Sequence, residues 1–184
     1  MGNVDLIEMR GKRYAEVQIC HFRSTNFGRR CHFCRRSAAS SPLATSNNAL
    51  RPPITLEAAK KVMAAAEAEA VKNNWSMAIV ILDSTSHMVM FHKLDNTQYG
   101  SIGIAEDKAN TALNFRRPSK VFEDLVAQGG IGMRTLGLRG ATPIDGGFPI
   151  IADGKVIGAI GVSGAAGTQG AQVAKAGADA GAVK

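Results

Sequence analysis

The chain has 184 residues, 45% of them hydrophobic and 20% charged, which is enough for one domain with a substantial core. Its apolar runs fall short of the roughly 18 residues of a membrane span, which argues against a membrane protein. The net charge of +7 belongs mostly to residues 1–51, where nine Lys and Arg face three acids. Residues 52–184 carry thirteen basic and twelve acidic side chains, so charge gives no support to nucleic-acid binding by this part of the chain.

Residues 1–50, called the leader below, differ in composition from everything after them. Their basic side chains come without apolar periodicity, and the segment ends in the Ser-, Ala- and Asn-rich stretch SAASSPLATSNNAL. This composition predicts disorder, and no apolar centre of a secretory signal is present. We interpret the leader as an organelle transit peptide or as a stretch translated from a wrongly chosen start. Without a transit peptide, the expected location is the cytoplasm.

The leader also contains Cys31-x-x-Cys34, which is half of the ligand set of a zinc ribbon. The other half would need Cys20 and a histidine at a spacing that matches no common zinc finger. Incidental thiols are therefore the favoured interpretation, and we predict no metal site.

A first helix is predicted after Pro52-Pro53. Thr55 is a suitable N-cap, and Glu57 lies in the first turn, where the helix dipole favours a negative charge. Asn73-Asn74 ends the helix.

Two strands are predicted next, near residues 77–83 and 87–94. The first, MAIVILD, is an almost continuous apolar run, which indicates a central strand covered on both faces. His87 and His92 suggest a metal or haem ligand. They point to opposite faces of one strand, however, so they cannot chelate one ion as a pair.

A second helix is predicted over residues 101–116, and Pro118 stops it. Its inward stripe is expected to include the apolar residues Ile104, Ala105, Ala112 and Phe115. Lys108 and Thr111 lie in the same stripe. A lysine in such a position is anomalous, because a buried ammonium group needs a partner.

Three explanations of Lys108 stay open at this point. Its stem can pack while its head reaches water, or it can pair with a carboxylate such as Asp83. Alternatively, the helix presents an anion site, to which Arg116 and Arg117 at its end would contribute. The two arginines would otherwise serve to complement the helix dipole.

A short helix follows over residues 118–128, and residues 130–142 are predicted as a loop with a possible short strand. A last helix over 168–181 carries an Ala- and Gly-rich face, which implies close packing. The Gly-rich turn at 164–167 brings a strand end to a helix N-terminus, an arrangement that can bind an anion.

A hairpin lies between these helices, with strands near 147–152 and 155–163 joined by Asp153-Gly154. That dipeptide is a strong hairpin signal, because both positions accept positive φ. Alternation places Val156, Gly158, Ile160 and Val162 on one face of the second strand and Ile157, Ala159, Gly161 and Ser163 on the other. Gly158 and Gly161 predict close approach of a helix, a partner subunit or a ligand.

Known catalytic signatures are not met. The glycines at 158, 161 and 164 do not follow the dinucleotide pattern, and Ser163 lacks the second glycine of a nucleophile elbow. No P-loop or HExxH occurs, and no Ser-His-Asp set can be placed.

Four segments resemble the GlcG/HbpS family of haem-binding domains, which also forms the C-terminal part of PduO-type proteins. They are ILDSTSHMVMFHKLD, SIGIAEDKANTALNFRRPSKVFE, DGGFPIIADGKVIGAIGVSG and AQVAKAGADA. The resemblance covers about residues 54–182. It implies an α+β fold with a central antiparallel sheet of about five strands flanked by helices, and homo-oligomers, often octamers. The E-x-x-E iron motif of secreted members is absent, since the nearest acids are Glu67 and Glu69.

We expect a non-enzymatic binding protein for haem or another small anionic molecule, acting as a sensor, carrier or accessory factor. The alternative is an enzyme or accessory subunit for a small organic acid such as glycolate. The predicted binding residues are Lys108, Thr111, Arg116, Arg117, Gly146, Gly147 and Ser163. The reason is charge, because haem propionates and small organic acids both present carboxylates, which arginine holds bidentately. The resemblance supplies no haem axial ligand that can be placed in this sequence.

Overall fold

The computed structural model describes residues 52–182. In chain order the elements are α1 (Leu56–Lys72), β1 (Ala78–Asp83), β2 (Met88–Lys93), α2 (Gly100–Phe115), α3 (Lys120–Ala127), a 3₁₀ helix (Gly130–Gly137), β3 (Gly147–Ala152), β4 (Lys155–Ser163) and α4 (Gly167–Gly181). The leader, with its predicted disorder and its cysteines, lies outside the described residues. The 3₁₀ helix occupies Gly130–Gly137 within the range 130–142 that was predicted as a loop with a possible short strand.

The sheet has four strands in the order β2-β1-β4-β3, and all three pairings are antiparallel. The α+β class is therefore confirmed, with one strand fewer than the five expected. β1 and β4 lie in the centre, which explains why their sequences are nearly continuous apolar runs. β2 and β3 form the two edges.

Helices cover both faces of the sheet. α1 and α4 lie together on one face, over a core that includes Ile79, Ile81 and Ile160. α2 lies on the other face, over a second core of small residues with Val80 and Leu82. Lys108 and Thr111 face inward on α2 as predicted, whereas Ile104, which was predicted in the same stripe, is 36% exposed.

The glycines of β4 and α4 allow the helices to approach the sheet closely. A Cβ on Gly161 would lie 2.0 Å from the carbonyl oxygen of Ala105, so α2 rests directly on this strand. On the opposite face, a Cβ on Gly177 would lie 2.6 Å from the Ile160 side chain and 3.1 Å from that of Ala66. Gly161 thus approaches a helix of the same chain, whereas a Cβ on Gly158 would lie 2.4 Å from the Leu82 carbonyl oxygen on the neighbouring strand β1.

The hairpin forms as predicted, with Asp153 at φ 45° and Gly154 at φ 70°. Its side-chain alternation is wrong at one end, because the register shifts where Ile150 pairs with Gly158 but Ile151 pairs with Val156. Ile157 is thus an extra residue, and such a bulge turns the residues before it to the opposite face. Ile157 accordingly packs with the α1/α4 core and Val156 with the α2 core.

Candidate functional site

A cavity of about 360 Å³ lies where α2 ends, and we call it the α2-end cavity. Its walls come from the turn between α2 and α3, from β3 and from the second half of α4. The lining residues are Arg116, Arg117, Pro118, Phe148, Pro149, Ile151, Lys175, Ala178, Asp179 and Ala182. The volume is typical of small-molecule sites, and the apolar walls with few charged groups are typical of such sites as well.

The two arginines are held in place by the end of α2. Arg116 is in the left-handed region at φ 53°, and its N–H caps the helix by donating to the carbonyls of Ala112 and Leu113. Arg117 donates from Nε to the Phe115 carbonyl at 3.0 Å, and its guanidinium carbon lies 6.0 Å from the centroid of the Phe122 ring. The contacts of Arg117 restrain its side chain before any ligand arrives, which lowers the entropy lost on binding.

The cavity is positively charged at one end. Its lining includes three basic side chains and one carboxylate. That carboxylate, Asp179, forms an ion pair with Lys175 one turn away on α4, so the α4 side is nearly neutral. Arg116 and Arg117 contribute positive charge to a lining that also includes the apolar side chains of Phe148 and Pro149.

Lys108 lies elsewhere, inside the domain. It is only 2% exposed, and its Nζ donates to the Val162 carbonyl oxygen at 3.1 Å. Burial lowers the pKa of Lys108 from its ordinary value of 10.5, while the carboxylates of Asp145 and Glu123 act in the opposite direction. The pairing with Asp83 suggested by the sequence is wrong.

The Asp83 carboxylate forms its hydrogen bonds within its own turn. Its Oδ1 accepts hydrogen bonds from the backbone N–H groups of Thr85 at 2.7 Å and His87 at 3.0 Å, which closes the β1–β2 connection. A short polar side chain that bonds its own backbone in this way is typical of turns.

Asp145 and Glu123 form a network beside the ammonium group. Asp145 is 5% exposed, its Oδ1 accepts from the Gly146 N–H at 2.8 Å, and its own N–H donates to Glu123 Oε2 at 2.7 Å. Burial raises the pKa of Asp145 above its ordinary value of 3.8, and the Gly146 hydrogen bond opposes that shift. A Cβ on Gly167 would lie 3.9 Å from Glu123 Oε2, so the chain's own carboxylate lies near the N-terminus of α4, where the sequence suggested an anion site.

The other predicted residues surround Lys108 or hold loops. A Cβ on Gly146 would lie 3.1 Å from Lys108 Nζ, and one on Gly147 would lie 2.2 Å from the Lys108 carbonyl oxygen. Thr111 donates from Oγ1 to the Asp107 carbonyl at 2.7 Å and accepts from the Thr142 N–H at 2.8 Å. Ser163 is buried at the end of β4, opposite Ala78 of β1.

The structure thus places five of the seven predicted residues in two groups, to which Thr111 and Ser163 do not belong. Lys108, Gly146 and Gly147 are in contact, while Arg116 and Arg117 line the α2-end cavity. Eight residues of helix separate Lys108 from Arg116, which is about 12 Å along the axis.

The other lining residues of the α2-end cavity were not predicted from the sequence. Pro149 carried a signal, since proline inside a strand run indicates an edge strand. Lys175 and Asp179 carried none, because their spacing is that of any exposed i, i+4 pair.

The two histidines of the described segment lie on the far side of the sheet from the cavity. His92 is on β2, the opposite edge strand, and its Nδ1 lies 3.3 Å from Glu67 Oε2. The Nδ1 of His87 lies 2.8 Å from Thr85 Oγ1. Between residues 52 and 182, no group of three or more His, Cys, Asp or Glu side chains could hold a metal ion. Within the same range, no helix has the length and apolarity needed to cross a membrane.

Taken together, a four-stranded antiparallel sheet between helical layers defines the class of this protein as an α+β domain. The sequence profile of the family described as "Haem degrading protein HbpS-like" matches residues 54–179. The chain belongs to the HbpS-like family.

Relatives and solved structures agree with this assignment. Protein GlcG of Escherichia coli K12 is 39% identical over 110 residues, which cover 60% of this chain and 81% of GlcG. The crystal structure of HbpS superimposes with a TM-score of 0.64 at 30% identity, over 70% of this chain and 90% of HbpS. The PduOC:heme complex superimposes with a TM-score of 0.63 over 70% of this chain and 94% of PduOC, and at 20% identity it shows the likeness of fold alone.

Proposed function

We propose that this domain is a non-enzymatic binding protein for haem or another small anionic molecule, and that the ligand occupies the α2-end cavity. The observation that carries the proposal is the pairing of Arg116 and Arg117 with an apolar wall in one open cavity of about 360 Å³. A ligand with an apolar body and a carboxylate matches both parts. The name of the family and the haem in the PduOC structure support haem as a candidate.

The negative propionates of haem match the basic side chains of this cavity, but the described lining residues include no histidine. The propionates would be held by Arg116 and Arg117, and the haem ring would lie against Phe148 and Pro149. Iron ligation by His87 or His92 would require a second location, because both lie at the opposite edge of the sheet. The chain's own contribution in the cavity is therefore binding and orientation by charge and apolar contact.

Haemin titration, followed by the Soret band, tests the proposal. The wild-type domain is expected to shift the band with a saturable, single-site curve. Arg117→Gln removes one charge-assisted contact of about 1.5–3 kcal/mol, which corresponds to a loss of affinity of roughly 10- to 150-fold. Lys60→Gln is the matched control, because it removes an exposed positive charge from α1, outside the cavity.

Two results would contradict the haem proposal. One is an affinity that does not change in Arg117→Gln. The other is the absence of any Soret shift together with a rise in melting temperature on adding glycolate, which would favour the alternative of a protein acting on a small organic acid.

We also propose that the protein forms a homo-oligomer through the surface of α3 and the 3₁₀ helix. Ile131 is 77% exposed and Leu136 57% exposed, and further apolar side chains around them are accessible. They are Val121, Leu125, Met133, Leu138 and Ile144. An apolar surface of this kind is typical of protein–protein contacts.

A further inference from the structure

The α2-end cavity lies along the outer edge of β3. Within the described sheet, β3 pairs with β4 alone. The hydrogen bond from Val162 N–H to the Gly146 carbonyl shows that Gly146 faces β4. Gly147 faces the other way, because its N–H donates to Ser119 Oγ at 2.9 Å and its carbonyl accepts from the Ser119 N–H at 3.0 Å.

The alternation of backbone direction along a strand extends this pattern. Residues 148, 150 and 152 face β4, and the bulge does not change it, since the extra residue is on β4. Pro149 and Ile151 therefore direct their backbone groups outward, and both line the cavity. Pro149 has no N–H, so the outward groups are the Pro149 carbonyl and the N–H and carbonyl of Ile151.

The Ile151 N–H can donate to a carbonyl oxygen of a ligand that lies along this edge, and the outward carbonyls can accept from N–H groups of such a ligand. The direction of such a ligand follows from the position of the arginines. Ser119 holds the N-terminal end of β3 against the turn that carries Arg116 and Arg117. A segment paired antiparallel to β3 has its C-terminus at that end, so a terminal carboxylate would meet the two arginines.

We propose that the α2-end cavity recognises an N-acyl α-amino acid unit, in which an amide lies one carbon from a free carboxylate. The acyl carbonyl of the amide accepts from the Ile151 N–H, and the carboxylate binds Arg116 and Arg117. The amino-acid side chain packs against the apolar wall formed by Phe148 and Ala178. The unit occurs both in free N-acyl amino acids and at the C-terminus of an extended peptide. The inference rests on the proposed function, because it names the ligand class of the same cavity.

Amide chemical shifts of ¹⁵N-labelled protein test the pairing. The probes are acetyl-leucine, the peptide acetyl-Ala-Ala-Leu, acetyl-leucinamide and 4-methylpentanoate. We expect acetyl-leucine and the peptide to move the Ile151 amide resonance to saturation. The neutral leucinamide lacks the carboxylate and methylpentanoate lacks the amide, so each is expected to bind at least about tenfold more weakly. A peptide that binds about tenfold tighter than acetyl-leucine identifies a peptide C-terminus as the source, and equal affinities identify a free N-acyl amino acid.

A matched pair of variants isolates the backbone donor. Ile151→Pro removes the outward N–H at an edge position, where proline is tolerated, and Ile151→Val keeps it. Binding of acetyl-leucine is expected to fall about tenfold in the proline variant and to stay unchanged in the valine variant. If the proline variant does not fold, the wild-type shifts decide the question.

Three outcomes would overturn the inference. The first is binding of acetyl-leucine without a shift of the Ile151 amide resonance, and the second is binding of methylpentanoate with the same affinity as acetyl-leucine. The third is protection of the Ile151 amide from hydrogen exchange in the ligand-free protein, which would mean that a second copy covers the edge. Haemin binding that depends on Arg117 but without any effect of acetyl-leucine would reject the inference and retain the proposed function. If neither haemin nor acetyl-leucine binds, both the inference and the proposed function are rejected.

Discussion

Replacing Lys108 with methionine separates a structural role of this lysine from a ligand-binding role. Methionine fills a similar length but cannot donate to the Val162 carbonyl oxygen, and it removes the positive charge beside Asp145. A buried acceptor that loses its partner costs about 1–3 kcal/mol. The substitution also removes the cost of burying an ammonium group, so the loss should stay below the roughly 3–5 kcal/mol of a broken buried ion pair.

We therefore expect Lys108→Met to lower the free energy of unfolding by about 2 kcal/mol. For a domain of this size, that corresponds to a fall in melting temperature of roughly 6 to 10 °C. Thermal and urea denaturation measure it, with the exposed Lys60→Met on α1 as the control that should change little.

The pH dependence of that difference identifies the carboxylate involved. Without the ammonium group, the pKa of Asp145 should rise further above 3.8. A carboxyl group whose folded-state pKa is raised contributes stability at low pH and loses it as the pH rises through the folded-state pKa. The deficit of Lys108→Met is therefore expected to be larger at pH 7 than near pH 4.

A contrary result is simple to recognise. If Lys108→Met melts like the wild type but binds haemin at least about tenfold more weakly, Lys108 contacts the ligand and the structural explanation is wrong. If stability falls while the folded fraction binds normally, Lys108 does not belong to the binding site.

Three further predictions concern packing, assembly and domain limits. Gly161→Ala should destabilise the folded domain by about 1–3 kcal/mol, since the new Cβ would lie 2.0 Å from the Ala105 carbonyl oxygen. Gly103→Ala, whose Cβ would have nothing within 4 Å, should stabilise the domain by about 0.5–1 kcal/mol. Urea denaturation of the two variants measures the difference. Ile131→Lys with Leu136→Lys should reduce the mass measured by light scattering, and an unchanged mass would place the interface elsewhere. Limited proteolysis should remove the leader and leave the domain intact, and protection of the leader would show that it belongs to the folded unit.

The sequence by itself determined the four α-helices and four strands of the described residues and the inward face of Lys108. Thr55 caps α1 by accepting from the Ala58 N–H at 3.2 Å, and Asp153-Gly154 closes the hairpin as expected. Lys108 was identified as an inward-facing lysine from its position in the helix stripe. These features depend on neighbours a few residues apart, and such interactions are encoded in residue spacing.

Tertiary structure alone decided how these elements combine into sites. The ammonium of Lys108 lies by Val162 and Asp145 rather than Asp83, and the extra residue Ile157 reverses the faces at one end of β4. The α2-end cavity joins Arg116 to Lys175, which is far away in the sequence. Each outcome depends on the register between strands and on how closely a helix docks, and these are set by packing between residues distant in the chain, which no local pattern records.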